Sequence, residues 1–304
     1  MSATHIGPYE VLRRIGKGGM AEVFQVRATE GPRAGQQFAL KRLLPALERE
    51  PEAVRLFAAE AELSRHLRHP HIVEVVDVGQ AGEVIYLVME HVDGRDAGQI
   101  ITRCRQQRVA WPVDFALYFT TALLDALRYA HAAMGPDGKP LGVIHCDVSP
   151  SNFFLSRLGD LKLGDFGVAR SRLEVGAAQV MGKPYYLSPE ATRGHLTPAA
   201  DLWAVAVTLY ELLTLQRPFT GKTPDEVFEA IRACRYLPAR QLRPELPALL
   251  EGVLAQAFDV DPVLRFQSAA EFLESLEPLL DERVGTPLAI AAMVRGLFGA
   301  TEER

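Results

Sequence analysis

The hydrophobic period changes once along this chain of 304 residues, and that change constrains its fold more than any single motif does. From residue 9 to about 45, apolar side chains alternate in the short runs YEVLRRI, AEVFQVRA and QFALKRL, with Gly and Pro between them. Period two puts alternate side chains on one face of a strand, so these runs predict antiparallel hairpins. Residues 52–67 switch to a helical period, and 71–92 return to strands as HIVEVVDVG and EVIYLVMEHV around the turn QAGE. Beyond Asp93-Gly94, helical patterns dominate at 114–133, 199–215, 224–234, 246–258 and 268–280. The pattern predicts an α+β chain with a small antiparallel sheet and one helix over 1–93, a larger mainly helical part over 94–280, and a tail over 281–304. The tail is expected to be a surface helix or a frayed end. A ligand could sit where the two parts meet, near Val92 to Gly94.

Composition excludes several classes of function. A chain of this length buries roughly three quarters of its unfolded surface, and 48% hydrophobic with 23% charged residues is the balance of a globular protein. The formal charge of −5 argues against nucleic acid as the main partner. Cys104, Cys146 and Cys234 are odd in number and lack metal-ligand spacing, which fits a reducing cytoplasm. The N-terminus lacks a signal-peptide pattern, and the most apolar windows, 203–215 and 287–300, carry Tyr210, Glu211 and Arg295. Neither reaches the roughly 20 apolar residues of a membrane span, so no span and a cytoplasmic location are expected.

Four segments carry chemistry. IGKGGMAEVF, residues 15–24, sets Gly16, Gly18 and Gly19 between two strand-like runs, where backbone N–H groups could approach a phosphate and Val23 could lie on a flat base. Taken alone, glycines between strands are more often a tight turn. In FALK, Ala39 and Lys41 leave the same face of a strand, one small enough to admit a ring and one charged; by default such a lysine faces solvent. On the helix at 52–67, however, Glu60 falls inside the apolar stripe of Leu56, Leu63 and Leu67, while Glu62 points away. A carboxylate on a buried face needs a cation, and Lys41 is the candidate. The third and fourth segments are HCDVSPSN, residues 145–152, and DLKLGDFGVAR, residues 160–170. Asn152 and Asp165 are hard oxygen ligands suited to Mg²⁺, and Asp147 could orient a hydroxyl or accept its proton.

In this order and spacing, the segments resemble a eukaryotic-like (Hanks-type) bacterial serine/threonine protein kinase from about Tyr9 to Leu276, with VMEHV at 88–92, SPE at 188–190, Asp201, Trp203 and Arg265 also matching. The resemblance implies a two-lobed protein-kinase-like fold that takes ATP with Mg²⁺, or Mn²⁺ in its stead, and acts on protein substrates; a regulatory protein is expected as a further partner. It implies that Ile15 and the glycine loop cover the nucleotide, that Val23, Ala39 and Phe154 sandwich the adenine, and that Met89 guards the back pocket. The backbone of Glu90 and Val92 would bond the adenine edge, and Lys41, held by Glu60, the phosphates. Glu190 would pair with Arg265, and His145, Phe166 and Trp203 would be core positions. Rossmann and Walker patterns are absent; the GKT at 221–223 has Gln216 in place of the first Walker glycine.

Three departures bear on activity. Cys146 replaces the arginine that commonly receives an activation-segment phosphate, and residues 168–187 contain no threonine and only Ser171, Tyr185 and Tyr186 as hydroxyls, so control by phosphorylation there is not expected. Ser149 stands where the resemblance implies a lysine on the transferring phosphate. Lys183 stands where it implies a threonine. Lys183 could restore the missing ammonium beside Ser149, or be a solvated loop lysine. The function expected is serine/threonine phosphorylation from ATP. The alternative is a pseudokinase or nucleotide-binding scaffold that signals through partner contacts, and a small-molecule phosphotransferase is disfavoured by SPE and the helix that follows it.

Overall fold

Alternation in the first ninety residues becomes a six-stranded antiparallel sheet in order β1-β2-β3-β4-β6-β5. Its strands are β1 (His5–Ile6), β2 (Tyr9–Lys17), β3 (Ala21–Ala28), β4 (Gln37–Leu43), β5 (Val75–Ala81) and β6 (Val84–Glu90), with helix α1 (Pro51–Ser64) between β4 and β5. The computed structural model of the chain describes residues 5–166, 183–280 and 285–299 and divides into two units, Met1–Val92 and Asp93–Arg304. Gly167, Ser171 and residues 281–284 and 300–304, on which sequence expectations fall, lie outside the described residues.

Each face of the first sheet has its own core. Tyr9, Val26, Phe38, Leu40, Tyr86 and Val88 fill one face, with the Tyr9 ring edge-on to Phe38 and Tyr86. On the other face, Leu43 and Leu87 pack against Phe57 and Ala61 of α1. Pro51 opens α1 at a position that needs no N–H partner, and its fixed φ suits the first turn. The helix therefore lies on the face that carries the odd-numbered residues of β4, the face of Ala39 and Lys41. The strand expected from His71 begins at Val75, because Ile72 N–H bonds back to His69 O in a turn.

The second unit is built on helices. A three-stranded sheet of β7 (Gly94–Asp96), β8 (Phe153–Ser156) and β9 (Leu161–Leu163) accompanies α2 (Ala97–Gln107), α3 (Val113–His131), α4 (Pro198–Thr214), α5 (Pro224–Arg232), α6 (Ala239–Leu242), α7 (Ala248–Ala257), α8 (Ala269–Leu276) and α9 (Pro287–Phe298). Helix α4 is buried all round from Ala200 to Thr214, which is why its sequence is apolar without a polar face. Trp203 on α4 stacks on Phe219 at 5.3 Å and meets Phe258 edge-on.

Two helices go beyond what the sequence predicts. Helix α2 does not figure among the helical patterns expected from the sequence, yet Asp96 caps it by accepting from Gln99 N–H at 2.8 Å, and Ala97, Ile100, Ile101 and Cys104 face the core. The tail, expected as a surface helix or a frayed end, contains α9, whose Ile290, Ala291, Val294 and Leu297 are buried. Arg103 and Gln107 of α2 both donate to Leu297 O at 2.8 Å, and Arg95 and Arg103 lie over the Phe298 ring. Burial of one face of α9 against α2 makes it part of the unit rather than an appendage.

Candidate active site

In the first unit, Val23 pairs with Lys41, and Ala39 and Lys41 pair with Met89 and Leu87. Cross-strand partners share a face, so Val23, Ala39, Lys41 and Met89 form one surface of the sheet, the surface on which α1 packs. Lys41 Nζ donates to Glu60 Oε1 at 2.6 Å, with side chains 9% and 12% exposed. Burial of both charges is tolerable because each compensates the other. The ammonium is thereby held at a defined height above the sheet.

The loop between β2 and β3 is a tight turn closed by Gly18 N–H to Ala21 O at 2.7 Å. A Cβ added at Gly16 would meet only Val23 at 3.6 Å, and one at Gly18 only Ala21 O at 3.6 Å, both ordinary contacts. Neither glycine has a positive φ. The hairpin itself therefore does not require glycine at either position, and the bare backbone leaves open space beside the turn, although the Gly18 N–H is given to Ala21 O. Ile15, near the end of β2, is 43% exposed. At the other end of the sheet, Glu90 N–H is already given to Glu74 O at 2.9 Å, which limits Glu90 to its carbonyl in any further edge contact. Val92 is the last residue of this unit and half-buried.

In the second unit the loop His145–Asn152 is organised by one buried carboxylate. Asp201, at the start of α4 and 1% exposed, accepts His145 N–H and Cys146 N–H at 2.8 Å each, and His131 Nε2 lies 2.8 Å from it. This grip holds Cys146 at φ +60°, a conformation that a non-glycine residue adopts at a cost. His145 Nδ1 accepts from Asp147 N–H, so its Nε2 carries the proton donated to Gly164 O at 2.9 Å. The same imidazole lies edge-on to Phe166 at 4.6 Å.

Asp147 and Asn152 form a pair. Asn152 Nδ2 donates to Asp147 O and to Asp147 Oδ2, both at 2.9 Å. Two acceptors facing the amide fix its orientation, and Asn152 Oδ1 is left as a cation ligand. Gly164 N–H bonds to Asn152 O at 2.8 Å across the β8–β9 hairpin, where Phe153 pairs with Leu163. Asn152 and Asp165 thus leave the same end of one hairpin, with Asp165 at φ +58°. One amide and one carboxylate oxygen donor fit a divalent cation that takes its other ligands from water and phosphate, as Mg²⁺ does. Phe154 is on β8, half-buried and turned away from the Phe153 core side.

Lys183 lies against this loop. Its Nζ donates to Ser149 Oγ at 2.6 Å and also to Ser151 Oγ. The ammonium is thus placed beside Ser149 and Ser151. Further along, Arg265, 1% exposed, clasps Glu190 through two bonds of 2.9 and 3.0 Å and lies over Trp203 at 4.7 Å. Burial pushes the Glu190 carboxyl up, but the Arg265 guanidinium, a backbone N–H and Ser188 together outweigh it and hold the group below its ordinary value.

Sequence reasoning missed one acidic residue of this region. Glu211 is marked in the sequence only as an interruption of an apolar window; it is 3% exposed, accepts from Arg105 Nη2 at 2.7 Å and from the Tyr186 hydroxyl, and faces Arg217 Nε at 3.6 Å. Burial and this carboxylate raise the Tyr186 hydroxyl far above its usual range. A charge inside an otherwise apolar helix was the signal that could have found it.

The family model described as a protein kinase domain matches residues 9–275. The chain is 35% identical over 98% of its length to Tyrosine-protein kinase MasK of Myxococcus xanthus, covering 47% of that protein. It is 30% identical over 90% of its length to Serine/threonine-protein kinase PrkC of Bacillus subtilis, covering 41% of it. The chain thus spans less than half the length of these two relatives. Among solved structures, the PknI kinase domain of Mycobacterium tuberculosis matches with a TM-score of 0.69 and 30% identity, covering 91% of this chain and 98% of that one.

Proposed function

The chain belongs to the protein kinase family, and from that premise we propose that it transfers the γ-phosphate of ATP to serine or threonine hydroxyls of proteins. The observation that carries the reading is the locked pair Asp147–Asn152: an aspartate whose carboxylate is oriented by an amide that still has an oxygen to give a cation. In the first unit, Lys41 fixed by Glu60 is a positioned positive charge for phosphate oxygens, and the glycine loop leaves space without side chains for them to approach. In the second unit, Asp147 orients the acceptor hydroxyl and takes its proton as the hydroxyl oxygen bonds to the γ-phosphorus and the bridging P–O bond breaks, releasing ADP. A divalent cation at Asn152 and Asp165 would neutralise charge on the phosphate oxygens; Mg²⁺ is the cation proposed, with Mn²⁺ as its substitute. Lys183 supplies the ammonium that Ser149 lacks, close to the loop that orients the acceptor.

Because Cys146 cannot clasp a phosphate, we place control in partner binding or in the intrinsic order of the segment, not in its phosphorylation. Among the described residues no helix is long and apolar enough to cross a membrane. The test is transfer from labelled ATP with Mg²⁺, then Mn²⁺, to Ser, Thr and Tyr versions of one acceptor, beside Asp147→Asn. Transfer to Ser and Thr that disappears in the variant supports the reading. Transfer confined to Tyr would favour the activity named for the Myxococcus xanthus relative. ATP binding without transfer to any acceptor would favour the scaffold.

A further inference from the structure

A groove of about 680 Å³ lies beside the catalytic loop within the second unit, with Pro150, Ser151 and Lys183 on its wall. Its charge is not that of the chain. Arg95, Arg103, Arg105, Arg217 and Lys183 line it against only two carboxylates, Asp96 and Glu211, an excess of three positive charges on a protein whose formal charge is −5.

Both carboxylates are already committed. Asp96 Oδ1 caps α2 by accepting from Gln99 N–H. Glu211 is buried and faces two guanidiniums at once, with Arg105 at 2.7 Å and Arg217 at 3.6 Å, while its second oxygen takes the Tyr186 hydroxyl. One negative charge cannot neutralise two positive ones, and Arg217 Nε is buried with no hydrogen-bond partner among the described residues. Its guanidinium rests 4.1 Å over the Tyr185 ring, a contact that positions the charge without cancelling it. Arg95 and Arg103 are positioned over Phe298 in the same way. A second groove, of about 1060 Å³, shares Arg105 and Arg217 and adds Arg235, and no carboxylate lines it. The positive surface therefore continues from Ser151 past Arg217 to Arg235.

We propose that this surface selects protein substrates by acidic residues flanking the target hydroxyl. Planar guanidiniums held by aromatic rings and buried acceptors are preorganised for peptide carboxylates. A groove that starts at the loop orienting the hydroxyl and runs on through further arginines suits an extended chain with several Asp or Glu side chains. The inference rests on the phosphotransferase reading for its biological meaning, but the groove's preference can be read without catalysis.

The test uses the whole chain and three fluorescent peptides with one target serine, identical except for Asp/Glu, Ala or Lys in the flanks. A fourth carries phosphoserine in place of the acids. Anisotropy is measured without ATP, and kcat/KM is measured with it. The acidic peptide is expected to bind about tenfold more tightly than the Ala peptide, with the advantage in KM and shrinking as NaCl is raised. Arg217→Gln, checked for an unchanged melting curve, is expected to reduce the acidic-to-neutral ratio to about threefold. Preference for the phosphoserine peptide over the acidic one would replace carboxylate by phosphate as the anion read and overturn the proposal as stated. Equal binding of all peptides, preference for the Lys peptide, or an acidic preference untouched in folded Arg217→Gln would also overturn it. Acidic preference in binding with no transfer to any peptide would uphold the groove and sink the kinase reading instead.

Discussion

Ser149 and Lys183 lie 34 positions apart in sequence and meet at 2.6 Å, which puts an ammonium beside the catalytic-loop candidate. If the ammonium acts on the transferring group, Lys183→Ala lowers kcat by about 10²-fold, the size of one lost electrostatic contact to a transition state, with KM for ATP little changed. Restoring the charge from the other side by Ser149→Lys in the same protein recovers most of the rate. A double variant as slow as Lys183→Ala, measured on folded protein, would remove Lys183 from the mechanism. Asp147→Asn keeps the shape but not the basicity, and is expected to lower kcat by about 10³-fold. At this scale the candidate residues were readable from spacing: Asp147, Asn152 and Asp165 belong to two segments eight residues apart, from Asn152 to Asp160. The Gly164 O partner of His145 and the grip of Asp201 were not, since both are brought from elsewhere in the chain.

Among elements, the segment holding SPE is tied to the helical core by Glu190 and Arg265. The Glu190 carboxyl is lowered from 4.5, so its contribution to stability is fully present above about pH 4.5 and is lost as pH falls through the folded value. Urea midpoints measured from pH 7 down to 3 are expected to fall more steeply for the wild type than for Glu190→Gln. Arg265→Leu leaves the half-buried Glu190 carboxylate without its cation and is expected to cost about 3 kcal/mol at pH 7. Helix α9 offers a separate test. Ile290 is fully buried, so Ile290→Ala is expected to destabilise by about 2–5 kcal/mol in chemical denaturation. No loss would mean that α9 is an appendage after all. Helices with strong apolar periodicity, such as α3 and α4, were legible in the sequence. Helix α2 was overlooked because arginines and glutamines fill its outer face, and only its Asp96 cap and its buried Ile100, Ile101 and Cys104 mark it.

For the whole chain, nucleotide binding should couple to stability. At a hundred times its Kd, a ligand that binds only the folded state adds about 2.7 kcal/mol, so Mg²⁺ with a non-hydrolysable ATP analogue is expected to raise the melting temperature of the wild type. Lys41→Met should abolish most of that rise while leaving the peptide preference of the arginine-lined groove in place. A rise that survives in Lys41→Met would place the nucleotide elsewhere. The groove and the acidic chain also make a joint prediction: added salt weakens acidic-peptide binding although the protein's formal charge is negative, because local charge governs contacts within a Debye length.

By itself the sequence determined the alternation of a sheet-rich part with a helical one, the burial of Glu60 on its helix, and the order of the chemical groups, because hydrophobic period and spacing are local properties. Tertiary structure alone decided the rest. It turned a tail into a packed helix, gave Lys183 a place at Ser149, and set two guanidiniums on the single carboxylate of Glu211. Apart from Arg217, six positions from Glu211, these contacts join residues tens to hundreds of positions apart. Such contacts are fixed by which faces pack together, and no local pattern records that choice.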